Sequence, residues 1–270
     1  MSLKEIFMCT AGAIILGQDD YILFKNKDFG KTEFKDHLII DNQLFGASGV
    51  ETFAEQDPTK EIFSGLSIGA NSYGLFCCDS HVNYKPAGGA NYDKLVEVAL
   101  REGTDVPSAI GALQKHILIN PSWAGNLVLT DGKQTARIEA RACQLQVEID
   151  ERNIASTNHQ FLFPSENPDA SESSKERLVS AKQRISSIND FEQVFSMLTS
   201  HDSGDTGVCN HQEDRTTVYS YVLRYNKGQI KLYVTNAQPC QSPAYQALNV
   251  PIGECWNEQA VQIFIDSYPN

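Results

Sequence analysis

The chain reads as α+β, with antiparallel sheets covered by helices. Three observations lead there. Strand-like and helix-like stretches come in segregated runs, ordered β-rich, two helices, β-rich, two helices, β-rich. Several strand pairs are joined by short Gly/Asp turns, the mark of antiparallel hairpins. Neither half alternates strand with helix, which argues against a parallel doubly wound sheet.

The elements follow in order. Ala11 to Leu16 is apolar and partly β-branched, and Gly17-Gln18-Asp19-Asp20 turns it into Tyr21-Ile22-Leu23-Phe24, a β-hairpin. Further strands are expected at His37 to Ile40 and Ile62 to Ser67, and the turn beginning at Asn71 feeds another through Phe76. The period then changes. Tyr92 to Arg101 carries apolar residues at helical spacing with Gly103 as a stop, and Val106 to Leu118 repeats the pattern until Asn120-Pro121. "NLVLT", Asp131-Gly132 and "QTARIEA" form a second hairpin, extended by "CQLQVEI". Residues 164–176 are polar and read as loop, before helices at Lys175 to Ile188 and Phe191 to Leu198. The Gly/Asp-rich stretch 200–215 also reads as loop. Strands return at Thr216 to Tyr225 and Ile230 to Thr235 around Asn226-Lys227-Gly228, and a short helix spans Glu258 to Asp266.

Composition narrows the function classes. A chain of 270 residues can bury about three-quarters of its unfolded surface, so it needs no covalent staples. The formal charge of −12 argues against nucleic acid and against anionic membrane surfaces. No apolar run reaches the length of a membrane span. Lys4 is followed by Glu5, and the apolar run ends at Gly17 without a small-residue cleavage site, so a secretory signal is not expected. Seven cysteines, at 9, 77, 78, 143, 209, 240 and 255, are odd in number and irregular in spacing. They read as free thiols in a reducing, cytoplasmic setting.

Cys9 raises the chemical question, because it stands at the head of the first strand. Removal of residues 1–8 would make it the first residue of the chain. Its α-amino group, titrating near 7.7–8.0, could then serve as the general base for its own thiol. Without that removal, Cys9 reads as one more small buried hydrophobe.

The surrounding motifs resemble the N-terminal nucleophile hydrolases, in particular the choloylglycine hydrolase and penicillin V acylase group. The likeness is closest to the peptidase C45 branch, relatives of acyl-coenzyme A:6-aminopenicillanate acyltransferase. Cys9-Thr10 matches the mature start of those proteins, and "FKNKDFG" (24–30) matches their G-R-N-x-D region at the same interval. "GANSYGL" (69–75), "STNHQF" (156–161), "GVCNH" (207–211) and "RTTVYSYVLRY" (215–225) follow in family order. The resemblance implies a four-layer αββα sandwich of two antiparallel sheets. It implies a short propeptide, 1–8, and one domain, 9–270. Cys9 would be the nucleophile, Asp28 would accept a hydrogen bond from its freed amine, and Asn158 would donate to the oxyanion. Arg215 would favour the thiolate.

The chain also departs from the family pattern. Lys25 stands where the family has arginine, reading as a solvated or substrate-facing charge, and regular alternation turns it away from Asp28. His81 or Asn83 stands in place of a second oxyanion asparagine, and Asn210 stands where a late arginine is expected. The implied activity is an autoprocessing amidohydrolase or acyltransferase that cleaves a linear, non-peptide acyl amide through an acyl-enzyme, with no cofactor or metal. A small-molecule substrate and a homo-oligomer both fit this reading.

Three rivals stand beside it. His201, Asp202, Cys209 and His211 are zinc-capable, but their spacing matches no strong zinc motif. Cys9 with His159 or His211 would make a cysteine–histidine pair, without the flanking signatures of such proteases. An uncut chain would be a non-catalytic binding protein on the same fold.

Overall fold

The computed structural model describes residues 8–29, 35–50, 63–82, 89–163, 171–202, 207–212, 215–241 and 245–269. It opens with six strands: β1 (Met8–Gly17), β2 (Asp20–Phe29), β3 (Leu38–Ile40), β4 (Leu44–Val50), β5 (Phe63–Asn71) and β6 (Phe76–His81). Helices α1 (Asp93–Glu102) and α2 (Val106–Ile119) follow, then β7 (Ser122–Thr130), β8 (Thr135–Ala142), β9 (Gln144–Asp150) and β10 (Asn153–Ser156). The rest is α3 (Glu172–Ile185), α4 (Glu192–Leu198), β11 (His211–Gln212), β12 (Arg215–Asn226), β13 (Gln229–Thr235), β14 (Gln246–Asn249) and α5 (Glu258–Ser267).

The strands form two antiparallel sheets. One runs β10-β1-β2-β12-β13-β14, with β11 on β12; the other runs β3-β4-β5-β6-β7-β8-β9. Alternation along β1 and β2 sorts their side chains between two cores. Ala11, Ala13, Tyr21 and Leu23 face the second sheet and meet Phe45, Ile68, Phe76 and Val128 there. Ile14, Ile22 and Phe24 face the other way, onto Leu178, Ala181 and Val194 of α3 and α4. On the far side of the second sheet, Leu66, Leu127 and Ile138 pack against Leu95, Val96 and Leu113 of α1 and α2. The layers are therefore α, β, β, α, as the family resemblance implies.

Local chemistry explains the boundaries. Asp105 caps α2 by accepting from Ser108 N, and Ser108 closes the capping box. Ser171 caps α3, which starts that helix at Glu172, inside the stretch read as loop from its polarity. Lys227 and Gly228 take φ of 48° and 85°, so a two-residue turn joins β12 to β13. The sequence reading did not identify β4, β10, β11 or β14, of 7, 4, 2 and 4 residues, and β11 falls inside the stretch 200–215 read as loop. β4 carries two glycines, and the other three are too short to establish a period. Among the described residues, no helix is long and apolar enough to cross a membrane.

Candidate active site

Cys9 lies where β1 has outrun one neighbour. β10 pairs with β1 only from Ile14↔Asn153 to Ala11↔Ser156. Buried peptide groups beyond the end of a partner strand still need hydrogen bonds. Here side chains supply them. Cys9 N donates to Asn158 Oδ1 at 2.8 Å, and Cys9 O accepts from Arg177 Nη1 at 2.8 Å. Arg177 also reaches Thr10 Oγ1 and Asn158 Oδ1, each at 2.8 Å.

Asn158 is held from several sides. Its backbone N–H donates to Ser174 Oγ (2.9 Å) on α3, and Nδ2 donates to His81 O (2.9 Å) on β6. The preceding carbonyl, Thr157 O, accepts from Ser80 Oγ (2.8 Å) and Asn126 Nδ2 (2.9 Å). The loop after β10 is thus fixed by the opposite sheet as well as by α3.

β2 brings a polar run, Lys25 to Asp28, into the middle of a sheet where every one of those residues is buried. Lys25 Nζ crosses to the second sheet and donates to Ser67 Oγ (2.6 Å), Ser67 O (3.2 Å) and Asp79 Oδ1 (2.8 Å). Burial pulls this ammonium down, but the Asp79 carboxylate and then the Cys9 sulfur outweigh it, so Lys25 titrates above its ordinary value. Burial pushes the Cys9 thiol up, and the Lys25 charge opposes that push. The Asp79 and Asp28 carboxylates raise it further, while a hydrogen bond from the Asp28 backbone N–H lowers it. Asp28 Oδ1 accepts from Thr217 Oγ1 at 2.7 Å.

Several placements differ from the sequence reading. The nitrogen of Cys9 donates to Asn158 Oδ1, not to the Asp28 carboxylate, in the intact chain. The Asn158 amide group, expected to face an oxyanion, is donated to His81 O. Lys25 is neither solvated nor peripheral: it is 1% exposed and bridges the two sheets. β2 pairs with β1 without a bulge from Asp28 to Tyr21, so Lys25 and Asp28 do take opposite faces. The bulge lies in β12 instead, between Thr217 and Tyr219.

Burial pulls the His81 imidazole down to about 4, leaving it neutral at pH 7, with Nδ1 3.1 Å from Tyr92 Oη. Arg215 opens β12, two residues before Thr217, which pairs with Asp28; its side chain and all of Asn83 lie outside the described residues. His159 Nδ1 turns to Ser174 Oγ (2.8 Å), and His211 Nε2 to the sulfurs of Cys209 and Cys240.

Arg177, Asp79, Ser67 and Thr217 join the site without having been singled out in the sequence. Two of them carried a readable signal. Arg177 lies on the buried stripe of α3 with Ser174, Leu178, Ala181 and Ile185, and a cation on an apolar face needs a buried partner. Asp79 interrupts "FCCDSH", a strand buried throughout.

Comparison with known proteins agrees with this architecture. The profile of the acyl-coenzyme A:6-aminopenicillanic acid acyl-transferase family matches residues 15–239, a span that begins after Cys9. No curated protein matches the chain in sequence. Among solved structures, a mutant of conjugated bile acid hydrolase from Clostridium perfringens superposes with TM-score 0.57 at 13% identity, covering 88% of this chain and 92% of its own. Penicillin V acylase from Agrobacterium tumefaciens gives 0.55 at 14%, covering 89% and 86%. The Caenorhabditis elegans ortholog of N-acylethanolamine-hydrolyzing acid amidase gives 0.52 at 14%, covering 79% and 92%. At such identities these likenesses show a shared fold, that of the N-terminal nucleophile hydrolases.

Proposed function

We propose a function on one premise: the chain belongs to the acyl-coenzyme A:6-aminopenicillanic acid acyl-transferase family. Its fold is shared with acylases and amidases, and it acts on carbon–nitrogen bonds as a cysteine amidohydrolase or acyltransferase on a linear, non-peptide acyl amide. The observation that carries this reading is the setting of Cys9. Its nitrogen is held 2.8 Å from Asn158 Oδ1, and its sulfur lies within the field of Lys25.

Maturation comes first. The Cys9 thiol attacks the Met8 carbonyl carbon, the Met8–Cys9 C–N bond breaks, and the sulfur's proton ends on the nitrogen. Water then hydrolyses the thioester, releasing residues 1–8 with a new carboxylate and leaving a free amine on Cys9. Asn158 Oδ1 keeps hold of that nitrogen. Arg177 keeps the Cys9 carbonyl in place during the exchange.

Turnover uses the new amine. It takes the thiol proton, and the Lys25 charge stabilises the thiolate. The thiolate attacks the amide carbon of the substrate, the C–N bond breaks, and the leaving amine departs with the proton. Water or a second amine then takes the acyl group from sulfur.

The test is intact mass. Wild-type protein is expected to lose residues 1–8, while Cys9→Ala stays full length and shows at least about 10³-fold lower acyl-amide hydrolysis. Wild type that stays uncut on long incubation, with no turnover of an acyl-amide panel, would instead make the protein a non-catalytic binder.

A further inference from the structure

Away from Cys9, four side chains from three places in the chain converge. His201 follows α4, Cys209 and His211 flank Asn210, and Cys240 follows β13. Their ligand atoms all lie within 4.8 Å of one another. His211 Nε2 is 3.5 Å from Cys209 Sγ and 2.9 Å from Cys240 Sγ, and the two imidazole rings stand 4.8 Å apart. Metal–ligand bonds of about 2.0–2.3 Å in a tetrahedron put neighbouring donor atoms about 3.3–3.8 Å apart. The cluster already has nearly that size. Two sulfurs and two nitrogens in this arrangement suit zinc by both softness and geometry.

We propose that His201, Cys209, His211 and Cys240 bind one zinc ion in a closed, four-ligand structural site. Binding replaces two thiol protons, which pass to solvent, with two zinc–sulfur bonds. The sequence alone did not complete the set, because Cys240 lies 29 residues beyond His211. It also offered Asp202, which turns away to Arg184 Nη2 at 2.9 Å.

The ion would fix more than a surface loop. With Cys209 and His211 both held, Asn210 is clamped between them. Asn210 N donates to Thr217 Oγ1 (3.0 Å), and Asn210 O accepts from Thr217 N (2.9 Å). Thr217 in turn donates to Asp28. Val208 O accepts from Asn26 Nδ2 at 2.8 Å. The site therefore ties segment 207–212 and the turn after β13 to the polar end of β2.

The experiment uses full-length protein purified without chelator. Elemental analysis is expected to find about one zinc per chain. Cobalt loaded in its place should show sulfur-to-cobalt charge transfer and tetrahedral d–d bands. Cys240→Ser and His201→Ala should each lower zinc occupancy by about tenfold in zinc-buffered solution, whereas Cys143→Ser, an exposed cysteine outside the cluster, leaves it unchanged. Chelation should lower Tm by on the order of 10 °C. Zinc below about 0.1 per chain after zinc loading, with no cobalt–thiolate band, overturns the proposal. So does a Cys209–Cys240 disulfide in freshly isolated protein, or equal zinc content in all variants. Should a variant fail to fold, the wild-type cobalt spectrum decides.

Discussion

The two ends of β2 are buried alike and built from opposite materials. At the Tyr21 end, the ring stacks on Tyr225 (4.9 Å between centroids), leans on Phe76 (5.2 Å) and donates to Gly74 O (2.6 Å). Ile22, Leu23 and Phe24 then fill the two cores. At the other end, Lys25 to Asp28 are buried as deeply, yet each polar group reaches a different neighbour: Ser67 and Asp79, Leu198 O and Val208 O, Asp36, and Thr217. The apolar end gains stability from area removed from water. The polar end gains little net stability, because desolvation cancels much of each interaction. What it gains is position: a cation and a row of fixed dipoles beside one thiol.

That contrast can be broken. Phe24→Ala at the apolar end and Asp79→Ala at the polar end are each expected to cost about 3–5 kcal/mol in urea unfolding, the first by leaving a cavity and the second by stranding a buried charge. Only Asp79→Ala should also change the rate at which Cys9 reacts with iodoacetamide. Equal reactivity changes in both variants would erase the distinction.

Acid probes the opposite sheet next, beside Asn158. His81, with a folded pKa of about 4 against an ordinary value of 6.5, stays neutral when folded but charges when unfolded. Its contribution is fully present above pH 6.5 and is lost as pH falls toward 4, amounting to on the order of 3 kcal/mol. Urea midpoints measured across that window should fall with pH, and His81→Gln should flatten the slope. A slope unchanged in the variant would place the acid-sensitive group elsewhere.

Smaller effects separate position from stability. Asn158→Ala removes the acceptor of the Cys9 nitrogen and should slow Met8–Cys9 cleavage by about 10²-fold, read by time-resolved mass. Replacing the ion pair as a unit, with Lys25→Met and Asp79→Leu together, should leave stability near wild type. The same double variant should slow iodoacetamide labelling of Cys9 at neutral pH, because the Lys25 charge that favours the thiolate outweighs the Asp79 charge that opposes it. Labelling at the wild-type rate would show that Lys25 does not govern the sulfur.

Much of the scaffold was legible beforehand because it rests on local rules. The β1–β2 hairpin, the Asp131-Gly132 turn and the pattern of α1 and α2 all announce themselves within a dozen residues. The site was legible only in part. Cys9, Asp28, Lys25 and Asn158 were visible as motif positions, but their partners were not, since Cys9 and Asn158 are 149 residues apart and Cys9 and Arg177 168. The sequence reads Lys25 as a solvated or substrate-facing charge, and the structure removes the solvated option by burying it, because a strand pattern does not say how many layers cover it.

The sequence by itself determined most of the longer elements, their antiparallel character and the thiol at the head of a strand, because hydrophobic period and turn chemistry act between near neighbours. Only the tertiary structure decided which donor meets which acceptor: Asn158 rather than Asp28 at the Cys9 nitrogen, Asp79 at Lys25, Cys240 beside His211. Those pairings follow from burial, which makes an unpartnered polar group costly, so most find a partner among whatever distant segments the packed sheets bring within about 3 Å.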